Sequence, residues 1–151
     1  MSVRRLDQGM AAAAAALLPS ERDLSAAERK ALRTRYRQLR AMLHTAGLAA
    51  TYAFVVAKAG ADADGEAGPL QAAYEKAASG IRDRLAGLGL LTGDRRRMDA
   101  REVLRQFGEM PGADYARSSA EAAALLTWLS RLADACYPPG QDDDAGPGEG
   151  R

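Results

Sequence analysis

The chain has 151 residues and a nearly balanced charge, 21 Lys and Arg against 20 Asp and Glu, so net charge by itself selects no class of partner. Its residues are 47% hydrophobic, but 34 of them are alanine, and valine and isoleucine together number only five. That is too few for a conventional sheet, which excludes a β-sandwich, a barrel and a doubly wound α/β fold, whereas Ala, Leu, Arg and Glu favour helix.

In chain order, Arg4 and Arg5 ahead of the apolar run 10–18 imitate a secretory signal. Asp7 and Gln8 interrupt the pattern, and no small-x-small cleavage site precedes Glu21, Arg22 and Asp23. No apolar run reaches the roughly 18 to 20 residues that span a bilayer, so a soluble, cytoplasmic protein with no membrane partner is expected. Residues 4–18 read as a first helix, stopped by Pro19. Ser25-Ala26-Ala27-Glu28 is a capping box that opens a second helix, running to about residue 46 and punctuated by Gly47. Residues 48–59 are apolar almost all round, which predicts a helix buried on most sides at the centre of the core.

A polar, glycine-containing loop over 61–68 precedes Pro69, a favourable first residue for a fourth helix reaching about residue 86. The connector 87–97 ends in Arg95-Arg96-Arg97, after which Asp99 is placed to cap a short helix ending near Phe107. A second connector over 108–117 leads to Ser118-Ser119-Ala120-Glu121, a second capping box. It opens a last helix with Ala122, Leu125, Leu126, Leu129 and Leu132 at helical spacing and Trp128 on its flank. From Pro138 the chain carries no apolar anchor and reads as a disordered acidic tail. The expectation is an all-α fold, a compact single-domain bundle of five to six helices over 1–137, followed by the tail 138–151.

Charge is unevenly spread. Residues 1–60 carry ten basic and four acidic side chains, and 138–151 carry one and four, so the tail masks a basic domain. On the second helix Leu32, Tyr36, Leu39 and Leu43 fall within roughly 60° of one another as a core stripe. Arg29, Lys30, Arg33, Arg37 and Arg40 fill a separate arc of roughly 100° that also holds His44, and only Arg35 departs from it. Such a row can be a solvated face paired with acids elsewhere in the fold. Like charges on one arc nevertheless repel by a few tenths of a kcal/mol per pair, and a phosphate backbone is the natural anion to relieve them. The triplet Arg95–Arg97 carries less weight, because Asp94 and Asp99 flank it. Tyr52 and Phe54 lie in so apolar a segment that they read as core rather than as base-stacking residues.

Nothing in the sequence marks an enzyme. Cys136 and His44 are each the sole residue of their type, which excludes an internal disulfide, a thiolate zinc cluster and a histidine-rich metal site. His44 reads as a surface or boundary side chain rather than a general base, and Cys136 as a small apolar residue near a helix end. Gly87-x-Gly and Gly146-x-Gly lack the strand and the Gly-Lys-Ser/Thr ending of a phosphate loop. No catalytic residue, metal or cofactor is expected.

The block Tyr36-Arg-Gln-Leu39-Arg-Ala-Met-Leu43-His-Thr-Ala-Gly47-Leu48-Ala-Ala-Thr-Tyr-Ala53-Phe54 resembles the signature of the small subunit of the type III-B CRISPR effector, the fifth Cmr subunit family. The closing block, from Asp114-Tyr115 through Glu121 to Trp128-Leu129 and Ala133, is similar to that family's last helix, and the resemblance covers about residues 4–137. Arg40 and Ala46 stand where the family often has proline and asparagine. The resemblance implies a helical, non-catalytic subunit, several copies of which line up beside the backbone subunits that hold the guide RNA. The implied partners are other Cmr subunits, neighbouring copies of itself, guide RNA and target RNA, with cleavage left to neighbouring subunits. A basic ridge suits that role, since it follows phosphates without reading bases. Arg29, Lys30, Arg33, Arg37 and Arg40 are therefore the expected RNA contacts, with Lys58 and Arg131 as additions. The competing reading is a helical protein–protein adaptor with no nucleic-acid role.

Overall fold

The computed structural model describes residues 6–60 and 68–140. Among them are six α-helices and no strand: α1 (Leu6–Leu17), α2 (Ala26–Ala46), α3 (Leu48–Gly60), α4 (Pro69–Gly87), α5 (Ala100–Glu109) and α6 (Gly112–Cys136), with a short 3-10 turn at Glu21–Asp23. The all-α bundle is the expected fold. Residues 4 and 5 of the expected first helix, most of the loop 61–68 and the tail from 141 lie outside the described residues.

Local signals set most of the helix ends. Ser25 Oγ accepts from the Glu28 N–H at 3.1 Å while Glu28 Oε1 accepts from the Ser25 N–H at 2.9 Å, so the first capping box is complete. Gly47, at φ +93°, makes the turn from α2 into α3 in a backbone conformation that side chains strain to adopt. Pro69 starts α4, and Asp99 caps α5 by accepting from the Glu102 N–H at 2.9 Å.

The second capping box does not form. Helix α6 begins at Gly112, six residues before Ser118, and α5 continues to Glu109, so only Met110 and Pro111 separate them. Ser118 is buried in the helix with its hydroxyl 3.7 Å from the Met110 sulfur, and Glu121 pairs with Arg84 of α4 at 3.1 Å instead of capping. The cause is tertiary. Tyr115 packs edge-on against Phe107 (6.4 Å, 82°) and its hydroxyl accepts from the Ala49 N–H at 3.2 Å, which holds the added turn of α6 against the start of α3.

Helix α2 lies along α6, α3 lies along α4, and α1 packs on both α6 and α4. The core is built from Leu32, Tyr36 and Leu39 of α2, Ile81 and Leu85 of α4, and Leu125, Leu126 and Leu129 of α6, with Ala14, Ala77, Ala122 and Ala133 permitting close approach. At Gly80 of α4 a Cβ would stand 2.3 Å from Leu17 Cδ1, so the glycine makes room for the Leu17 side chain of α1. The expectation for α3 is corrected: it buries one face, Leu48, Thr51, Tyr52 and Val55, and exposes Ala50 and Ala57. Exposed alanine leaves little apolar area in water, so an apolar composition does not require burial on all sides. Tyr52 is core, edge-on to Phe107 at 5.6 Å, and Phe54 is half-buried against Tyr74.

Candidate nucleic-acid interface

The structure gives the five ridge residues of α2 different surroundings. Arg33 is only 9% exposed, and its Nη1 donates to the Tyr137 carbonyl just beyond α6. Arg29 is half-buried, and its Nη1 donates to the carbonyls of Leu24 at 2.8 Å and Glu21 at 3.4 Å, closing the turn before α2. These two guanidiniums tie neighbouring backbone to the helix. Arg37 Nη2 meets Asp134 Oδ1 at 2.7 Å, with the two side chains 60% and 45% exposed. A pair so open to water is worth about 0–1 kcal/mol, so an external anion can compete for it. Lys30 and Arg40 are exposed and have no ion pair among the described residues.

Between α2 and α6 runs an open groove of about 840 Å³. Arg37, Arg40 and His44 stand on the α2 wall, and Ser119, Ala120, Ala123, Thr127, Ser130 and Asp134 line the α6 wall. The α2 wall follows from helical spacing, since positions 37, 40 and 44 share one face. Small side chains opposite leave room for a chain to lie between the helices. Reading the sequence for the ridge alone overlooked this wall, although residues 120, 123, 127, 130 and 134 recur at alternating spacings of three and four and could have revealed it.

Lys58 and Arg131 are exposed but do not line the groove. Lys58 Nζ sits 5.6 Å from the Phe54 ring centre on α3, and Arg131 Cζ sits 5.9 Å from the Trp128 ring centre on α6. Cys136 ends α6 as an exposed residue.

His44, Ser119 and Asp134 share the groove, yet Asp134 is bonded to Arg37, and no hydrogen bond joins the three among the described residues. Among the described residues no group of three His, Cys, Asp or Glu is placed to hold a metal ion, and no helix is long and apolar enough to cross a membrane. The perturbed tyrosines lie elsewhere: burial raises the pKa of Tyr36, Tyr52 and Tyr74, and pushes Tyr137 up to about 12. What the groove offers is positive charge beside an open channel, suited to a phosphate chain.

A family described as CRISPR-associated protein (Cas_Cmr5) matches residues 6–136, which span all six helices. No curated protein and no solved structure matches the chain. The matched span takes in both walls of the groove, and the chain belongs to the Cas_Cmr5 family, as a subunit of a CRISPR Cmr complex that associates with the other components of that complex.

Proposed function

We propose that the chain is a non-catalytic small subunit that lies along RNA through the α2–α6 groove and supports pairing of guide with target in antiviral defence. The observation that carries this reading is the groove itself, with Arg37, Arg40 and His44 facing small α6 side chains across an open channel. Guanidinium groups can fork onto phosphates and neutralise them without contacting base edges, so the protein accepts any target while the guide supplies sequence. In this reading the ridge divides: Arg37 and Arg40 contact RNA in the groove, exposed Lys30 adds positive charge on the same helix outside the groove lining, and Arg29 and Arg33 hold the helix in place. Guide RNA, target RNA and neighbouring copies of this chain are the partners, in the cytoplasm, and repetition along the assembly multiplies a weak single contact.

The test is a double charge reversal, Arg37→Glu with Arg40→Glu, read by RNA binding across a salt series. Loss of two phosphate contacts reduces the slope of log affinity against log salt by about one to two. An unchanged slope in a variant that keeps its helical signal and unfolding midpoint rejects the groove. A wild-type chain that joins the Cmr complex yet shows no RNA contact there would replace this reading with the protein adaptor.

A further inference from the structure

Residues 93–97 project between α4 and α5 as a turn pinned at both ends. Leu91 and Met98 on either side are buried, and Gln106 of α5 clamps Thr92 through its main chain, accepting the N–H at 2.9 Å and donating to the carbonyl at 2.8 Å. Gly93 turns the chain at φ +110°. Asp94 then closes the turn: Oδ1 accepts from the Arg96 N–H at 3.0 Å, and its carbonyl accepts from the Arg97 N–H at 3.0 Å.

The acids that flank the arginines in sequence are thus engaged with backbone. Asp99 caps α5, and the remaining Asp94 oxygen reaches Arg97 Nε only at 3.9 Å, with the Arg97 side chain 89% exposed. On α5, Glu102 and Glu109 are both held by Arg105. Arg95 and Arg96 are exposed, have no ion pair among the described residues, and share an open recess of about 540 Å³ with Asp94 and with Arg82 and Asp83, which pair with each other at 3.1 Å. Arg95 and Arg96 carry two positive charges on neighbouring positions of a turn whose backbone is pinned, and a preorganised backbone lowers the ordering cost of binding an anion there. Their planar guanidinium forks match phosphate oxygens bidentately.

We infer that the Arg95–Arg96 turn is a second RNA-backbone contact, separate from the α2–α6 groove. It shares no residue with the groove, and it rests on the proposed function only in taking the same ligand chemistry.

The experiment is titration of the ¹⁵N-labelled full chain with a short oligouridylate, for the wild type and for Arg37→Glu/Arg40→Glu. The amides of residues 93–97 shift in both. In parallel, Arg95→Ala/Arg96→Ala lowers the salt slope of RNA binding by about one to two at an unchanged unfolding midpoint, and Arg95→Lys/Arg96→Lys restores it. Shifts confined to residues lining the groove overturn the inference and leave the groove standing. Shifts at 93–97 alone, with the groove variant binding like wild type, do the reverse. No shift anywhere overturns both.

Discussion

A guanidinium left 9% exposed has to find acceptors within the protein, and Arg33 finds the Tyr137 carbonyl. Tyr137 in turn is fully buried and its hydroxyl donates to the Pro19 carbonyl, so one arginine and one tyrosine join α2, the end of α6 and the loop after α1. Arg33→Ala leaves a buried carbonyl without its donor and costs about 1–3 kcal/mol, whereas exposed Arg40→Ala changes stability by less than about 0.5 kcal/mol. Urea unfolding of the two variants checks both figures, and equal midpoints would contradict the clamp. The buried phenols predict a pH response. Burial raises Tyr36 above its ordinary value and Tyr137 to about 12, so the folded state favours neutral phenol. Their contribution is full below the unfolded pKa of about 10 and is lost as pH rises beyond it. Thermal midpoints should hold up to that pH and then fall, with the phenolates of Tyr36 and Tyr137 appearing only as the chain unfolds; ionisation of these two near that pH in a folded chain would contradict this. The basic row was legible in the sequence because its spacing is local. Which members of it are buried was not, because the Tyr137 carbonyl lies 104 positions away.

At the scale of the helix, the two serine-led boxes separate local from tertiary control. Ser25 begins α2 through paired backbone contacts, and Ser25→Ala should cost about 1 kcal/mol. Ser118 lies inside α6 with only a sulfur as its side-chain hydrogen-bond partner among the described residues, so Ser118→Ala should cost less than about 0.5 kcal/mol. Chemical unfolding of both distinguishes a cap from a helix interior; a full cap-sized loss at Ser118 would contradict the observed start of α6. The sequence signal for the two boxes is the same. What differs is that Tyr115 has Phe107 and the Ala49 amide to pack against, and those contacts extend the helix past a signal that would otherwise start it. Helix α3 makes the same point from the other side, since its apolar sequence predicted a central position and its alanines left one flank in water.

The whole molecule depends on a core in which alanine brings helices close and a limited set of large residues fills the remaining space. Leu85 and Leu126 are fully buried, and replacing either with alanine should cost about 2–5 kcal/mol, measured by urea unfolding. A loss below about 1 kcal/mol would show that the bundle collapses around the cavity. The α2–α6 groove is a product of the same packing, since its walls come from residues 37–44 and 119–134. The acidic segment 141–151 lies outside the described residues, but its charge opposes that of the groove. Ending the chain after Gly140 should raise RNA affinity at low salt and leave the unfolding midpoint unchanged, because Tyr137 is retained. An unchanged affinity would remove the tail from consideration as a competitor.

Composition alone determined that this chain is helical, since five β-branched aliphatics cannot build a sheet, and two short blocks pointed to the family that the match over residues 6–136 establishes. The core stripe and basic arc of α2 also followed from a period of 3.6, because helical spacing relates residues only three or four apart. Only the tertiary structure decided that Arg29 and Arg33 serve as clamps, that α6 supplies a wall of small side chains, and that Asp94 and Asp99 are engaged with backbone. Whether a charge faces solvent depends on which distant backbone and side chains the packed helices bring to it, and no local period encodes that.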